Sequence, residues 1–331
     1  MKKNILIVGD GGWGTAVALL LHHNKHNVRI WGKFPDYIEY LRNSRENAKF
    51  LPGIKIPEEI EFLADIDIAL KDIDIIVLAV PTQYIRGVLE ELKTKNLKIP
   101  IVSLAKGIEQ KTLKRPSQII HEVLAYPKNR IAVLSGPSHA EEVARGKPAS
   151  VVIASGNKRL AQELQSVFKN EYFRVYTQND VVGVELAAAV KNIIAIAAGI
   201  CYGLELGDNT IAALLTRGIV EITRFGRAMG GKQATFHGLA GIGDLITTCV
   251  STHGRNRAVG VRLGKGETLA QILGSMQMVA EGVWTTKGVV ALSKKYKVEM
   301  PITNEVFNIL FKNKKPMEAI YKLMTRKSKS E

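Results

Sequence analysis

Cysteine is scarce in this chain: Cys201 and Cys249 are its only two in 331 residues. They lie far apart, in no CxxC or Cys/His arrangement, which excludes a disulfide scaffold and gives no support to a zinc site. None of the seven histidines stands in an HExxH or comparable ligand spacing, so no metal is assigned. A secretory leader is not expected either. Met1-Lys2-Lys3 runs straight into a strand-like segment, without the apolar stretch and small-residue cleavage site of a signal peptide. The expectation is a cytoplasmic protein. Low-complexity tracts, internal repeats and a Pro- or Ser-rich linker are absent too. Aromatic residues make up only 6%, and no basic run is interleaved with them as a single-strand nucleic-acid groove requires.

One segment, Val181 to Leu204, is apolar enough to pass for a membrane span. It carries Glu185, Lys191 and Asn192, and a charge near the bilayer centre costs several kcal/mol. A buried helix in a soluble domain is expected instead, with no membrane insertion. What is abundant is positive charge: 46 Lys+Arg against 31 Asp+Glu, a net +15. Apart from Lys312–Lys315 and the tail Arg326-Lys327-Ser328-Lys329, these cations are scattered. They read as a field that attracts anionic small molecules, not as a nucleic-acid footprint.

The hydrophobic content of 46% and charged content of 23% are those of a globular protein, and the length suits two domains. Strand-like runs occur at Asn4–Val8, Val28–Trp31, Ile60–Leu63, Asp74–Val80, Ile99–Leu104, Ile131–Ser135, Ser150–Ala154 and near Phe173–Tyr176. Several are continuously apolar, as strands covered on both faces of a parallel sheet are. Helical periods such as Gly14–Asn24 and Tyr84–Lys95 lie between them, which implies a doubly wound α/β sheet. From about residue 181 the strand-like runs stop. Helical patterns follow at 181–204, 210–229, 256–263, 268–274, 283–296 and 303–311. The expected organisation is therefore an α/β domain over 1–180 and an all-α domain over 181–331.

Gly9-Asp10-Gly11-Gly12-Trp13-Gly14 follows the strand Ile5–Val8 and opens a helix. This is the G-x-G-x-x-G loop of a Rossmann dinucleotide site in its required strand–turn–helix setting. Gly9 permits the tight turn, Gly11 lets backbone approach a pyrophosphate, and Gly14 lets helix and strand pack closely. The pyrophosphate would sit at the positive end of the helix. NAD-selective sites usually end the second strand with Asp or Glu. Here Val28-Arg29-Ile30-Trp31 leads into Gly32-Lys33. Lys33 suits a 2′-phosphate, so NADPH is favoured, with NAD use possible.

Further motifs stand at later strand ends and in the helical half. Lys106-Gly107 follows the fifth strand, and Ser135-Gly136-Pro137-Ser138 follows the sixth. Val190-Lys191-Asn192 lies inside an apolar helix, and Gly241-Ile242-Gly243-Asp244-Leu245 precedes Gly254-Arg255-Asn256-Arg257. A lysine in an apolar helix is costly to bury without a partner. Desolvation brings an ammonium toward neutrality, which suits it to exchange a proton with an alcohol. Lys191 is therefore the candidate proton carrier, and Lys191→Met, which keeps bulk, should cost turnover more than stability. Lys106 is a second cation for a developing negative charge. Asp244 can orient Lys191 or accept a substrate hydroxyl hydrogen, and it can serve as a helix cap as well. Arg255 and Asn256 offer donors for phosphate oxygens.

Together these blocks resemble the bacterial NAD(P)-dependent glycerol-3-phosphate dehydrogenase family, in its order and spacing over nearly the whole chain. Departures are Ala188, where the family has Gly, Tyr202, where an acidic residue is usual, and Gly254, where Ser is frequent. The resemblance implies interconversion of dihydroxyacetone phosphate and sn-glycerol 3-phosphate, supplying glycerophospholipid synthesis, and a homodimer. It implies substrate contacts at Lys106, Gly136, Ser138, Lys191, Asp244, Gly254, Arg255 and Asn256. Cofactor contacts are implied at Gly12, Trp13, Lys33, Lys106, Ala140, Val279 and Glu281, with Arg255 touching both ligands. Two other classes share part of this pattern. A two-domain β-hydroxyacid dehydrogenase of the 6-phosphogluconate type shares the architecture but should carry a carboxylate-binding arginine cluster, which is not evident. A dinucleotide-sensing DNA-binding regulator should carry a basic helix-turn-helix, which is not evident either.

Overall fold

Eight strands form one sheet: β1 Asn4–Val8, β2 Asn27–Trp31, β3 Glu61–Leu63, β4 Ile75–Leu78, β5 Ile101–Ser103, β6 Ile131–Ser135, β7 Ala149–Ser155 and β8 Phe173–Gln178. The structure, a computed structural model, describes residues 2–95, 97–276 and 278–328. Met1 and residues 329–331, including Lys329 of the basic tail, lie outside it. The strand order is β3-β2-β1-β4-β5-β6-β7-β8. Strand order reverses at β1: β2 and β3 are added on one side and β4 onward on the other, which makes the β1/β4 crevice the place where such sheets bind ligands.

Alternate residues of β1 feed opposite faces. Ile5 and Ile7 pack with Val17, Leu21 and Ile30 on one side. Leu6 and Val8 pack with Ile76, Leu78 and Leu89 on the other. A strand buried on both faces can therefore be apolar at every position, which is why these runs do not alternate. Neighbouring strands are parallel except for β7, which runs antiparallel to β6. The sheet is thus mixed, where the sequence pattern implied a parallel one. The link from β6 to β7 carries only the four-residue helix Ala140–Val143, not the length of helix that a parallel return uses.

Beyond β8 the described residues form helices without strands. The long ones are Val181–Gly203, Gly207–Ala228, Arg255–Gly264, Glu281–Lys295 and Pro301–Lys312. The expected helices are present, and Gln233–Phe236, Asp244–Val250 and Pro316–Met324 add to them. Most of the apolar window of Val181–Gly203 is buried. This helix is crossed at backbone contact by Arg255–Gly264: a Cβ on Gly199 would lie 2.1 Å from the Arg257 carbonyl, and one on Gly260 2.0 Å from that of Ile196. Only glycine allows that approach.

The chain divides into two compact units. The first comprises Met1–Lys106 and Lys114–Glu185, the second Gly107–Leu113 and Leu186–Glu331. The change of unit falls inside the first turns of helix Val181–Gly203 rather than at residue 180, and a short excursion, Gly107–Leu113, counts with the second unit.

Candidate functional site

In the first unit the glycine loop leaves β1 and opens helix Gly12–His23. Gly9 has φ +118°, and a Cβ there would lie 2.8 Å from the Ala79 carbonyl. Gly11 has open space on its Cβ side, where a phosphate can approach backbone N–H groups. Asn47, fully buried, braces the loop. Its Nδ2 donates to the Asp10 carbonyl at 2.9 Å and to Thr15 Oγ1 at 2.8 Å, while Tyr37 O–H donates to its Oδ1 at 2.7 Å. Sequence reasoning missed Asn47, because no spacing sets it apart. Two buried polar atoms of the loop, Asp10 Oδ2 and Trp13 Nε1, have no hydrogen-bond partner. Burial pushes the Asp10 carboxyl above the usual range, against the pull of its backbone hydrogen bond and of Lys49. An open glycine face with orphaned polar atoms beside a helix start fits a dinucleotide.

The strand-end residues gather. Lys106 Nζ donates to the Gly136 carbonyl at 3.2 Å, Ser138 Oγ donates to the same oxygen at 3.1 Å, and Ala140 opens the next short helix. Lys33 is mainly exposed and forms an ion pair with Glu91 at 2.8 Å.

In the second unit Lys191 and Asp244 are 4% and 2% exposed. Lys191 Nζ donates to Asp244 Oδ1 at 2.8 Å and to Thr248 Oγ1. Thr248 O–H in turn faces Asp244 Oδ1 at 3.3 Å. Asp244 is the first residue of its helix, and Gly243 holds the cap position. The capping alternative therefore gives way to pairing with Lys191. Thr248 escaped the sequence reading, although its i+4 spacing from Asp244 puts both on one helix face. Cys249 lies within electrostatic reach of this pair, and burial pushes its thiol up to about 12, so it stays an unreactive thiol.

Gly254 caps helix Arg255–Gly264, and Arg255 is its first residue. Arg255 donates to the Val279 carbonyl at 3.2 Å. Asn256 Oδ1 accepts from Gly282 N–H at 2.9 Å, just inside the helix that Glu281 begins. Arg255, Asn256, Val279 and Glu281 thus converge from two helix starts. Tyr202 is stacked under the Arg257 guanidinium at 4.1 Å, a partner that suits an aromatic ring as well as a carboxylate.

A glycine-loop sheet unit joined to a helical unit with a buried lysine–aspartate pair defines the class: an oxidoreductase dependent on a nicotinamide dinucleotide. Residues 4–161 match the family described as NAD-dependent glycerol-3-phosphate dehydrogenase N-terminus. Residues 180–321 match its C-terminus counterpart. The chain belongs to the NAD-dependent glycerol-3-phosphate dehydrogenase family. It is 49% identical to the Fusobacterium nucleatum protein named glycerol-3-phosphate dehydrogenase NAD(P)+, over 99% of this chain and 98% of that one. It is 48% identical to the Geobacillus kaustophilus protein of the same name, over 99% and 96%. The crystal structure of glycerol-3-phosphate dehydrogenase from Coxiella burnetii superposes with TM-score 0.94 at 37% identity, covering 98% of this chain and 99% of that one.

Proposed function

We propose that this chain interconverts dihydroxyacetone phosphate and sn-glycerol 3-phosphate with NAD(P)H, in the cytoplasm and as a homodimer, and so supplies glycerophospholipid synthesis. In this reading the first unit binds the dinucleotide and the second carries the proton-transfer group. The observation that carries it is the buried Lys191–Asp244 pair with Thr248. A nicotinamide dinucleotide held at the glycine loop would supply the hydride that the ketone carbon needs. Lys191 Nζ gives a proton to the ketone oxygen as it becomes an alkoxide, and the neutral amine is reprotonated from solvent. Asp244 and Thr248 hold the ammonium in place. Lys106 steadies the developing negative charge, and Arg255 with Asn256 receives the phosphate at a helix start.

Oxidation of NADH and of NADPH, followed by absorbance, tests the reading. Dihydroxyacetone phosphate should drive it, and 6-phosphogluconate-type substrates should not support the reverse reaction. Turnover with the second class alone would overturn the assignment in favour of the β-hydroxyacid dehydrogenase reading. The family match does not favour that alternative.

A further inference from the structure

Sheets of this kind place a carboxylate after the second strand to accept from the adenosine ribose 2′-hydroxyl. Here β2 ends at Trp31 and the next residue, Gly32, has no side chain. That absence, with Lys33 next in the chain, is the local pattern that favours NADPH. The space beside Gly32 is nevertheless filled. A Cβ built there would lie 2.4 Å from Asp10 Oδ2 and 2.9 Å from Asp10 Cγ. The Asp10 carboxyl group occupies the volume that a side chain at position 32 would take. Asn47 pins the Asp10 backbone carbonyl at 2.9 Å, so the loop is held where this overlap arises.

We infer that Asp10 is the ribose-recognising carboxylate of this chain, delivered from the glycine loop, and that it favours a dinucleotide with a free 2′-hydroxyl over one with a 2′-phosphate. The inference rests on dinucleotide binding by the first unit. Three observations support it. Asp10 Oδ2 is buried without a hydrogen-bond partner, in a residue that is partly exposed as a whole. A ribose hydroxyl is a neutral donor suited to such a group, whereas a phosphate dianion is repelled by it. Of the cations that would offset this repulsion, Lys33 is engaged by Glu91 at 2.8 Å. Lys49 rests its ammonium against the rings of Tyr37 and Phe50, 5.7 and 5.0 Å from their centroids.

Calorimetric titration of the full-length protein with NADH and with NADPH, without substrate, tests this directly. ADP-ribose and its 2′-phosphate serve as a second pair of probes. The expected result is at least about tenfold tighter binding of NADH and of ADP-ribose, the scale of one charge-assisted hydrogen bond. Asp10→Ala should raise the NADH Kd by about tenfold and leave the NADPH Kd unchanged or lower. Wild-type protein that binds NADPH as tightly as NADH would overturn the inference, even if Asp10→Ala fails to fold. Equal loss for both nucleotides in the variant would also overturn it, since that is the mark of a structural role. Absence of binding by either would overturn the dinucleotide reading as well.

Discussion

Lys191 illustrates what one buried charge demands of its neighbours. Its ammonium meets the buried Asp244 carboxylate and the Thr248 hydroxyl. Lys191→Met would fill the volume but take the ammonium away from the buried Asp244 carboxylate. Removing one member of a buried pair costs roughly 3–5 kcal/mol, so the substitution should lower stability as well as turnover, contrary to expectation from bulk alone. Turnover should fall by ~10²–10⁴. The double variant Lys191→Met/Asp244→Asn should recover most of the thermal midpoint and none of the turnover. A single variant as stable as the parent would show that Asp244 finds another partner or a proton.

At the scale of elements, His26 ties the entry of β1 to the end of helix Lys158–Phe168. Lys3 N–H donates to its Nδ1 at 3.2 Å, and its Nε2 faces the Val167 carbonyl at 3.2 Å. A carbonyl only accepts, so Nε2 carries the proton and the ring is neutral. Burial is the main cause that lowers its pKa from 6.5. As pH falls through 6.5, the unfolded chain takes up a proton that the folded one does not. Stability therefore falls with pH until the lower folded value is passed, by at most about 1.4 kcal/mol per pH unit. His26→Gln should flatten that part of the curve, which urea midpoints at about pH 7.5 and about pH 5.5 would reveal. An undiminished slope in the variant would assign it to other groups.

Most of these elements were legible because burial on both faces writes itself as apolar runs, and helical burial as a 3.6-residue period. Lys191 stood out for the same reason, as the one cation between Ala187 and Ile196. What local pattern could not carry was contact between distant segments. The direction of β7 depends on a link whose helix is short. Asn47 reaches the glycine loop from 37 residues away, and Asp10 meets Gly32 only because β1 and β2 lie side by side. The turn Leu239–Gly243, rich in glycine, hid the start of the Asp244 helix.

For the whole molecule, the net charge of +15 acts on ligands that bear several negative charges. Raising ionic strength from about 10 mM to about 200 mM shortens the Debye length from roughly 30 Å to under 10 Å. The kcat/KM for dihydroxyacetone phosphate should then drop severalfold while kcat changes little, since the field acts on encounter. Salt-independent kcat/KM would mean that only the local cations, Arg255 and Lys106, matter.

The Gly107–Leu113 excursion sets an order of events during synthesis. Ile108 is fully buried, and Gly288 lies close enough that a Cβ on it would sit 3.0 Å from Ile108 and 3.8 Å from Leu113. When the ribosome has released residues up to about 185, every strand of the sheet is available, while the helix that carries Gly288 is still to come. That helix, Glu281–Lys295, emerges on the order of ten seconds later at bacterial rates. Through that interval Ile108 lacks the Gly288 neighbour against which it packs in the finished fold.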